Sequence, residues 1–164
     1  LCGRSVLLRN GQTAFLRSVT QSDLPAWQRM ILACSPETLF RRFEVRSHQA
    51  VLSQAKQLFD ARTVVIVAEL EGGLVGEARL CLLPEGNAAE FCVLVADPWQ
   101  GLGLGAALTD YALELANTMG LERLLVEIIP ENLRIMNFLG RRGFQFVPEK
   151  DGRTYRGELR LRCG

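Results

Sequence analysis

The sequence predicts a mixed α+β domain, a central sheet flanked by helices, and three observations carry that prediction. The segments run strands, helices, antiparallel strands, helix, strand, helix, strands, without the strict alternation of a doubly wound sheet. Glu71-Gly72-Gly73 between two apolar runs is a hairpin signal, which makes the centre of the sheet antiparallel. Val93 to Val95 then lead through a turn rich in glycine into an amphipathic helix. At 164 residues the chain is one domain, 1–164, large enough to bury roughly 70% of its unfolded surface.

Taken in order, Val6 to Leu8 and Thr13 to Val19 are strands around the turn Arg9-Asn10-Gly11-Gln12. Ser22 or Asp23 caps a helix reaching Cys34, with Pro25 tolerated in its first turn. Ser35-Pro36-Glu37 restarts a helix through Phe43, and a third spans Ser47 to Phe59. Thr63 to Leu70, Leu74 to Leu82 and Ala89 to Val95 are strands, the last two joined by Pro84-Glu85-Gly86-Asn87. Leu104, Leu108, Tyr111 or Ala112, Leu115 and Met119 recur at helical spacing until Gly120 stops the helix. Arg123 to Ile129 is a strand, Asn132 to Arg142 a helix ended by Gly143, and Phe144 to Val147 and Tyr155 to Leu161 are strands. In the last of these, Arg156, Glu158, Arg160 and Arg162 share a solvated face.

Nineteen basic against 18 acidic residues leave a net charge of +1, which points to neither nucleic acid nor an anionic membrane as partner. No apolar stretch approaches the ~18 residues of a membrane span, and the first twenty residues lack a signal-peptide pattern, so a cytoplasmic location is the default expectation. Cys2, Cys34, Cys81, Cys92 and Cys163 form no close pairs, so reduced thiols are expected and no metal site. The chain opens at Leu1 rather than Met, which would suit a piece excised from a longer protein.

Gly101, Gly103 and Gly105 let the main chain approach a ligand without side-chain obstruction. The first amides of the helix behind them are free donors at the positive end of its dipole, so an anion, most readily a nucleotide-type phosphate, is expected there. Gly101-x-Gly103-x-x-Ala106 fits a dinucleotide fingerprint, and Glu127, about 20 residues on, could imitate its ribose-binding acid. Asp97-Pro98-Trp99-Gln100 separates the strand from these glycines, however, where that fingerprint turns directly off the strand. The 37 residues after Glu127 are also too few for the rest of a doubly wound sheet.

Read instead as Gln100-x-x-Gly103-x-Gly105, the turn resembles the pyrophosphate-binding motif of the GNAT acetyltransferase superfamily. Asn132, eleven residues before Gly143-Phe144, resembles that superfamily's second CoA-binding segment. Ser35-Pro36-Glu37-Thr38-Leu39-Phe40-Arg41-Arg42-Phe43, Ala89-Glu90-Phe91 and Asn132-x-x-x-Met136 are similar to stretches of the bacterial protein lysine acetyltransferases, the Pat family. The resemblance runs from Val6 to Leu161 and implies a GNAT fold, acetyl-CoA as co-substrate without a metal, and a protein lysine, for example of an acyl-CoA synthetase, as acceptor. In that family the domain often follows a further region, synthetase-like or nucleotide-sensing.

A lysine amine has a pKa of ~10.4, so direct transfer needs a base. Glu90 is the candidate: its apolar neighbours Ala88, Ala89, Phe91 and Val93 would desolvate it and raise its basicity, and the resemblance implies the same residue. The main chain of Val93, Leu94 and Val95 would hold the pantetheine arm and one amide would serve as oxyanion donor. Gln100, Gly101, Leu102, Gly103, Leu104, Gly105 and Ala106 would take the pyrophosphate, and Asn132 and Met136 the cofactor arm, Asn132 being also a good helix cap. Phe40, Arg42 and Phe43 would line the acceptor side or form an ordinary helix core. The superfamily's acid, a Tyr seven residues after the Asn, is Leu139 here, as the Pat pattern also has it, and Tyr111 and Tyr155 have no spacing argument. Cys92 lacks a nearby histidine and reads as a buried structural thiol, and His48 as a surface residue. The rival readings are a small-amine acetyltransferase and a non-catalytic acetyl-CoA sensor.

Overall fold

The computed structural model describes residues 3–161, so Cys2, Arg162 and Cys163 lie outside the described residues. The strands are β1 (Arg4–Leu7), β2 (Thr13–Ser18), β3 (Thr63–Leu70), β4 (Gly73–Leu82), β5 (Ala88–Val95), β6 (Arg123–Ile128), β7 (Gln145–Pro148) and β8 (Tyr155–Arg160). They form one sheet in the order β1-β2-β3-β4-β5-β6-β8-β7. Every neighbouring pair is antiparallel except β5 with β6, which is parallel. The predicted α+β class and the hairpin at Glu71-Gly72-Gly73 therefore hold, with Glu71 and Gly72 both at positive φ.

The helices are α1 (Leu24–Leu32), α2 (Pro36–Phe43), α3 (His48–Leu52), α4 (Leu104–Thr118) and α5 (Leu133–Gly140). They cover the two faces. On one face Leu104, Leu108, Tyr111 and Ala112 of α4 and Leu139 of α5 pack onto Leu80, Ala89, Phe91, Leu124 and Val126. On the other, Trp27, Met30 and Ile31 of α1, Leu39 of α2 and Val51 of α3 pack with Val65, Val67 and Leu94. Gly76 of β4 allows this closeness, because a Cβ there would stand 3.0 Å from the Leu94 carbonyl and 3.1 Å from Leu108.

Two helical expectations are corrected. The helix predicted over Ser47 to Phe59 divides into α3 and a 3-10 turn at Ala55–Phe59. The Ser53 hydroxyl donates to the Ala50 carbonyl at 2.7 Å, an alternative to the helical ladder that ends α3 while still burying Val51 and Leu58. Asp23 does not cap α1: its carboxylate accepts from the Thr20 amide at 2.7 Å and from both Nη atoms of Arg17 at 2.8 Å. His48 is half-buried rather than superficial, with Nε2 donating to the Cys34 carbonyl at 2.7 Å, which ties α3 to the end of α1. Burial pushes the Cys34 thiol up to about 12, as expected of a structural cysteine. Among the described residues, no helix is long and apolar enough to cross a membrane.

The sheet's most demanding interaction is under α1. Glu77 and Arg79 of β4 are 1% and 3% exposed and joined through Nε at 2.7 Å and Nη2 at 3.0 Å. Trp27 Nε1 donates to the same carboxylate at 3.2 Å. Burial alone would favour the neutral acid, but the Arg79 charge and its hydrogen bonds outweigh that and hold Glu77 ionised. Removing one partner strands the other charge. Glu77→Ala is expected to lower unfolding stability by about 3–5 kcal/mol in urea titration, whereas Glu77→Leu with Arg79→Met is expected to recover most of that loss.

Candidate functional site

The parallel pairing of β5 with β6 covers only Ala88↔Arg123, Ala89↔Leu124 and Glu90↔Leu125. Beyond Glu90, β5 follows β4, pairing Val93 to Val95 with Ala78 to Gly76, while β6 follows β8 to Ile128 and Tyr155. The two strands part, and beyond the parting a cleft of about 300 Å³ opens between β5 and α5. Val93, Leu94 and Val95 line one side, and Asn132, Ile135 and Phe138, at the start of α5 and along it, line the other. The main chain of Val93 and the Val95 amide face the gap with groups an added strand would use, while Leu94, between them, pairs its main chain with Glu77 of β4.

At the end of β5 a 3-10 turn, Asp97–Trp99, delivers the chain to the glycines. Gly101 and Gly103 have φ of 77° and 92°, a region that L side chains occupy only with strain, and a Cβ on either would meet nothing within 4 Å. The space in front of them is thus open to a ligand. The helical ladder of α4 starts at the Ala107 amide, which donates to the Gly103 carbonyl at 3.1 Å. The amides of Leu104, Gly105 and Ala106 precede it and face outward at the positive end of the helix dipole. Arg9, from the β1–β2 turn, is bound there through its amide to Leu102 O at 3.0 Å and through Nη1 to Gly101 O at 3.2 Å. Among the described residues, Arg9, Arg41, Arg42 and Arg134 give the cleft four cations and no carboxylate, a setting for an anion with several charges.

The turn is tied to α2. Gln100 Nε2 donates to Thr38 Oγ1 at 3.1 Å and to the Val95 carbonyl at 3.0 Å. Asp97 Oδ1 accepts the Ser35 amide at 2.8 Å. Partial burial pushes the Asp97 carboxyl up, but hydrogen bonds from Ser35 and Thr38 outweigh it and hold the group below the ordinary carboxylate range.

The structure brings Arg42, Val93, Leu94, Val95, Gln100, Gly101, Gly103, Gly105, Ala106 and Asn132 to the cleft. Asn132 begins α5 without using its side chain as a cap, which leaves its amide group for a ligand. Leu104 is instead a core residue, and Leu102 and Met136 pack half-buried against that core. Phe40 lies under the Arg46 guanidinium at 3.9 Å and Phe43 under that of Arg42 at 4.3 Å, so both act as supports. Glu90 is exposed rather than desolvated and stands outside the cleft's lining, against the sequence expectation. Cys92 is half-buried and borders a second, smaller cavity of about 60 Å³ next to the cleft, so it is not the buried core thiol expected. Leu139, at the superfamily's acid position, is core. Arg9, Arg41 and Arg134 join the cleft, and Glu127 the smaller cavity beside it, without a role there expected from the sequence. Arg9 and Arg134 carry no local motif, and only their tertiary placement marks them.

A split mixed sheet with a glycine turn at the head of the split defines a class of acyl-CoA-dependent transferases. Residues 24–144 match the family model described as Acetyltransferase (GNAT) family, and the chain belongs to that family. It is 29% identical over 154 residues to Acetyltransferase Pat of Mycolicibacterium smegmatis, covering 90% of this chain and 46% of that protein. The chain therefore spans about half the length of that relative. Its fold matches the GNAT domain of S. lividans PAT with a TM-score of 0.87 over 97% of each chain, at 22% identity. Mycobacterium smegmatis RimJ in complex with CoA-disulfide matches with a TM-score of 0.73, 97% of this chain, 87% of that one and 21% identity.

Two outcomes test the geometry of the turn. Gly103→Ala is expected to cost roughly 1–2 kcal/mol and to lower Tm by roughly 2–8 °C. Gly105→Ala, whose Cβ would meet only Val95 Cγ2 at an ordinary 3.7 Å, is expected to leave calorimetric stability unchanged or raised. Because the Asp97 pKa is depressed on folding, its contribution is present above the ordinary carboxylate range and is lost as pH falls through the folded value. Asp97→Asn is expected to remove that part of the acid-range slope of stability, measured by thermal unfolding from about pH 5 down to about pH 2, a window that covers the ordinary carboxylate range and the values below it.

Proposed function

We propose that this chain binds acetyl-CoA in the larger cleft and moves its acetyl group directly to an amine, a lysine side chain on a protein. The observation that carries this reading is the strand edge of Val93 to Val95 running onto an unobstructed, positively charged glycine turn. An acyl-CoA needs that combination: main-chain partners for an amide-bearing arm, then amides and cations for a pyrophosphate. Acetyl-CoA supplies the acetyl group as a thioester.

The chain's own residues divide the remaining work. Amides from Gly101 to Ala106 take the pyrophosphate, with Arg9 and Arg134 as counter-charges, and Asn132 bonds to the arm. Val93 to Val95 orient the thioester end, and one of their amides donates to the oxygen on which charge develops. Glu90 is the base, three residues before Val93 on the same strand, and its exposure lets it pass the acceptor's proton to solvent through water. The 60 Å³ cavity beside the thioester end admits the tip of a slender aliphatic amine, which favours lysine.

Incubating the chain with acetyl-CoA and an acyl-CoA synthetase, then mapping acetyl-lysines by mass spectrometry, tests this. Lysine acetylation that requires the chain is expected, and acetylation of free small amines alone would contradict the acceptor. Glu90→Gln is expected to lower kcat by roughly 100-fold or more while leaving the Kd for acetyl-CoA unchanged in calorimetry.

A further inference from the structure

The smaller cavity holds a carboxylate that the reading above leaves without a role. Leu124, Val126 and Ile128 of β6 point into the core under α4, so Leu125 and Glu127 face the α2 side of the sheet. Glu90 and Cys92 of β5 face the same side, but the strands have parted by then. Glu127 consequently looks across the gap at Cys92, Arg41 and Arg42, and it is the acidic residue of that cavity among the described residues. Val93, Asn132, Ile135, Arg41 and Arg42 border both cavities, so the smaller one opens at the thioester end of the larger. Glu127 is exposed at the rim of the smaller cavity, and the hydroxyl of Thr154, itself 7% exposed, orients it by donating to Oε1 at 3.2 Å. Its register partner Arg156 makes no ion pair with it among the described residues. Oε2 is left for a ligand.

We infer that Glu127 is the acceptor-binding carboxylate, which receives the ammonium of the incoming amine beside the thioester. This rests on the acetyl-CoA reading of the larger cleft. Guanidiniums occupy the facing wall, so a cation is stable in this cavity only against Glu127. Arg42 lies over Phe43 and interacts electrostatically with buried Glu77, which directs part of its charge away from the cavity. Glu127 is thus a substrate-positioning group, and Glu90 on the neighbouring strand remains the proton acceptor.

Binding of two CoA thioethers tests this without a known acceptor. S-(3-aminopropyl)-CoA carries an ammonium where the acceptor amine would stand, and S-propyl-CoA is its neutral counterpart. By isothermal titration the ammonium compound is expected to bind the unaltered chain roughly tenfold more tightly than the neutral one. Glu127→Gln is expected to erase that difference without changing the Kd for S-propyl-CoA, and Thr154→Val to reduce it, whereas Glu90→Gln preserves it. A preference that survives Glu127→Gln, or no preference in the unaltered chain, overturns the assignment. Failure of S-propyl-CoA to bind at all would instead remove the acetyl-CoA reading on which it rests.

Discussion

The parting of β5 from β6 after three residue pairs is the constraint on which the rest of the molecule depends. Each strand is held along its length by its other neighbour, β5 by β4 over Gly76 to Leu82 and β6 by β8 over all six residues of β6. Neither can follow the other without breaking a longer ladder. The gap that results exposes main-chain groups in the middle of a sheet, where they are normally paired. Such an edge would be a liability at the border of a sheet. Here it is enclosed between α4 and α5, which limits what can add to it.

Each surrounding element keeps that gap in a usable shape. Gly76 lets α4 descend onto β4 and β5, so its free amides stand at the head of the split. Gln100 and Asp97 fasten the turn to α2, and α2 carries Arg41 and Arg42 to the opposite rim. Under α1 and beside α2, the buried Glu77–Arg79 pair fixes the sheet on which this rim rests. Breaking that pair is costly because each charge has given up its water and has only its partner in return. A cleft lined by Arg9, Arg41, Arg42 and Arg134, with Glu127 in its side cavity, follows from these positions.

How much of this was legible in the sequence depended on distance along the chain. The glycine turn, α2 with its Ser35 cap, and the strands β3 to β5 follow from neighbours a few residues apart, and all were read within a residue or two. The division of α3 from the 3-10 turn was missed because the apolar spacing of Val51 and Leu58 suits either form, and the Ser53 hydroxyl decided it. Arg9 was missed because it reaches Gly101 from 92 positions away. Glu127 was seen only as a possible ribose ligand, since its true neighbours depend on where β5 and β6 separate. Glu90 was placed correctly on its strand, but apolar neighbours in sequence alternate between faces, so they did not bury it.

In the proposed function, main chain on β5 and at the start of α4 holds an acyl-CoA. Amide hydrogen exchange with and without acetyl-CoA measures this directly. Slowed exchange confined to Val93, Val95 and Gly101–Ala106 is the result expected. Unchanged exchange at those amides, with the ligand bound and protection elsewhere, would contradict the account.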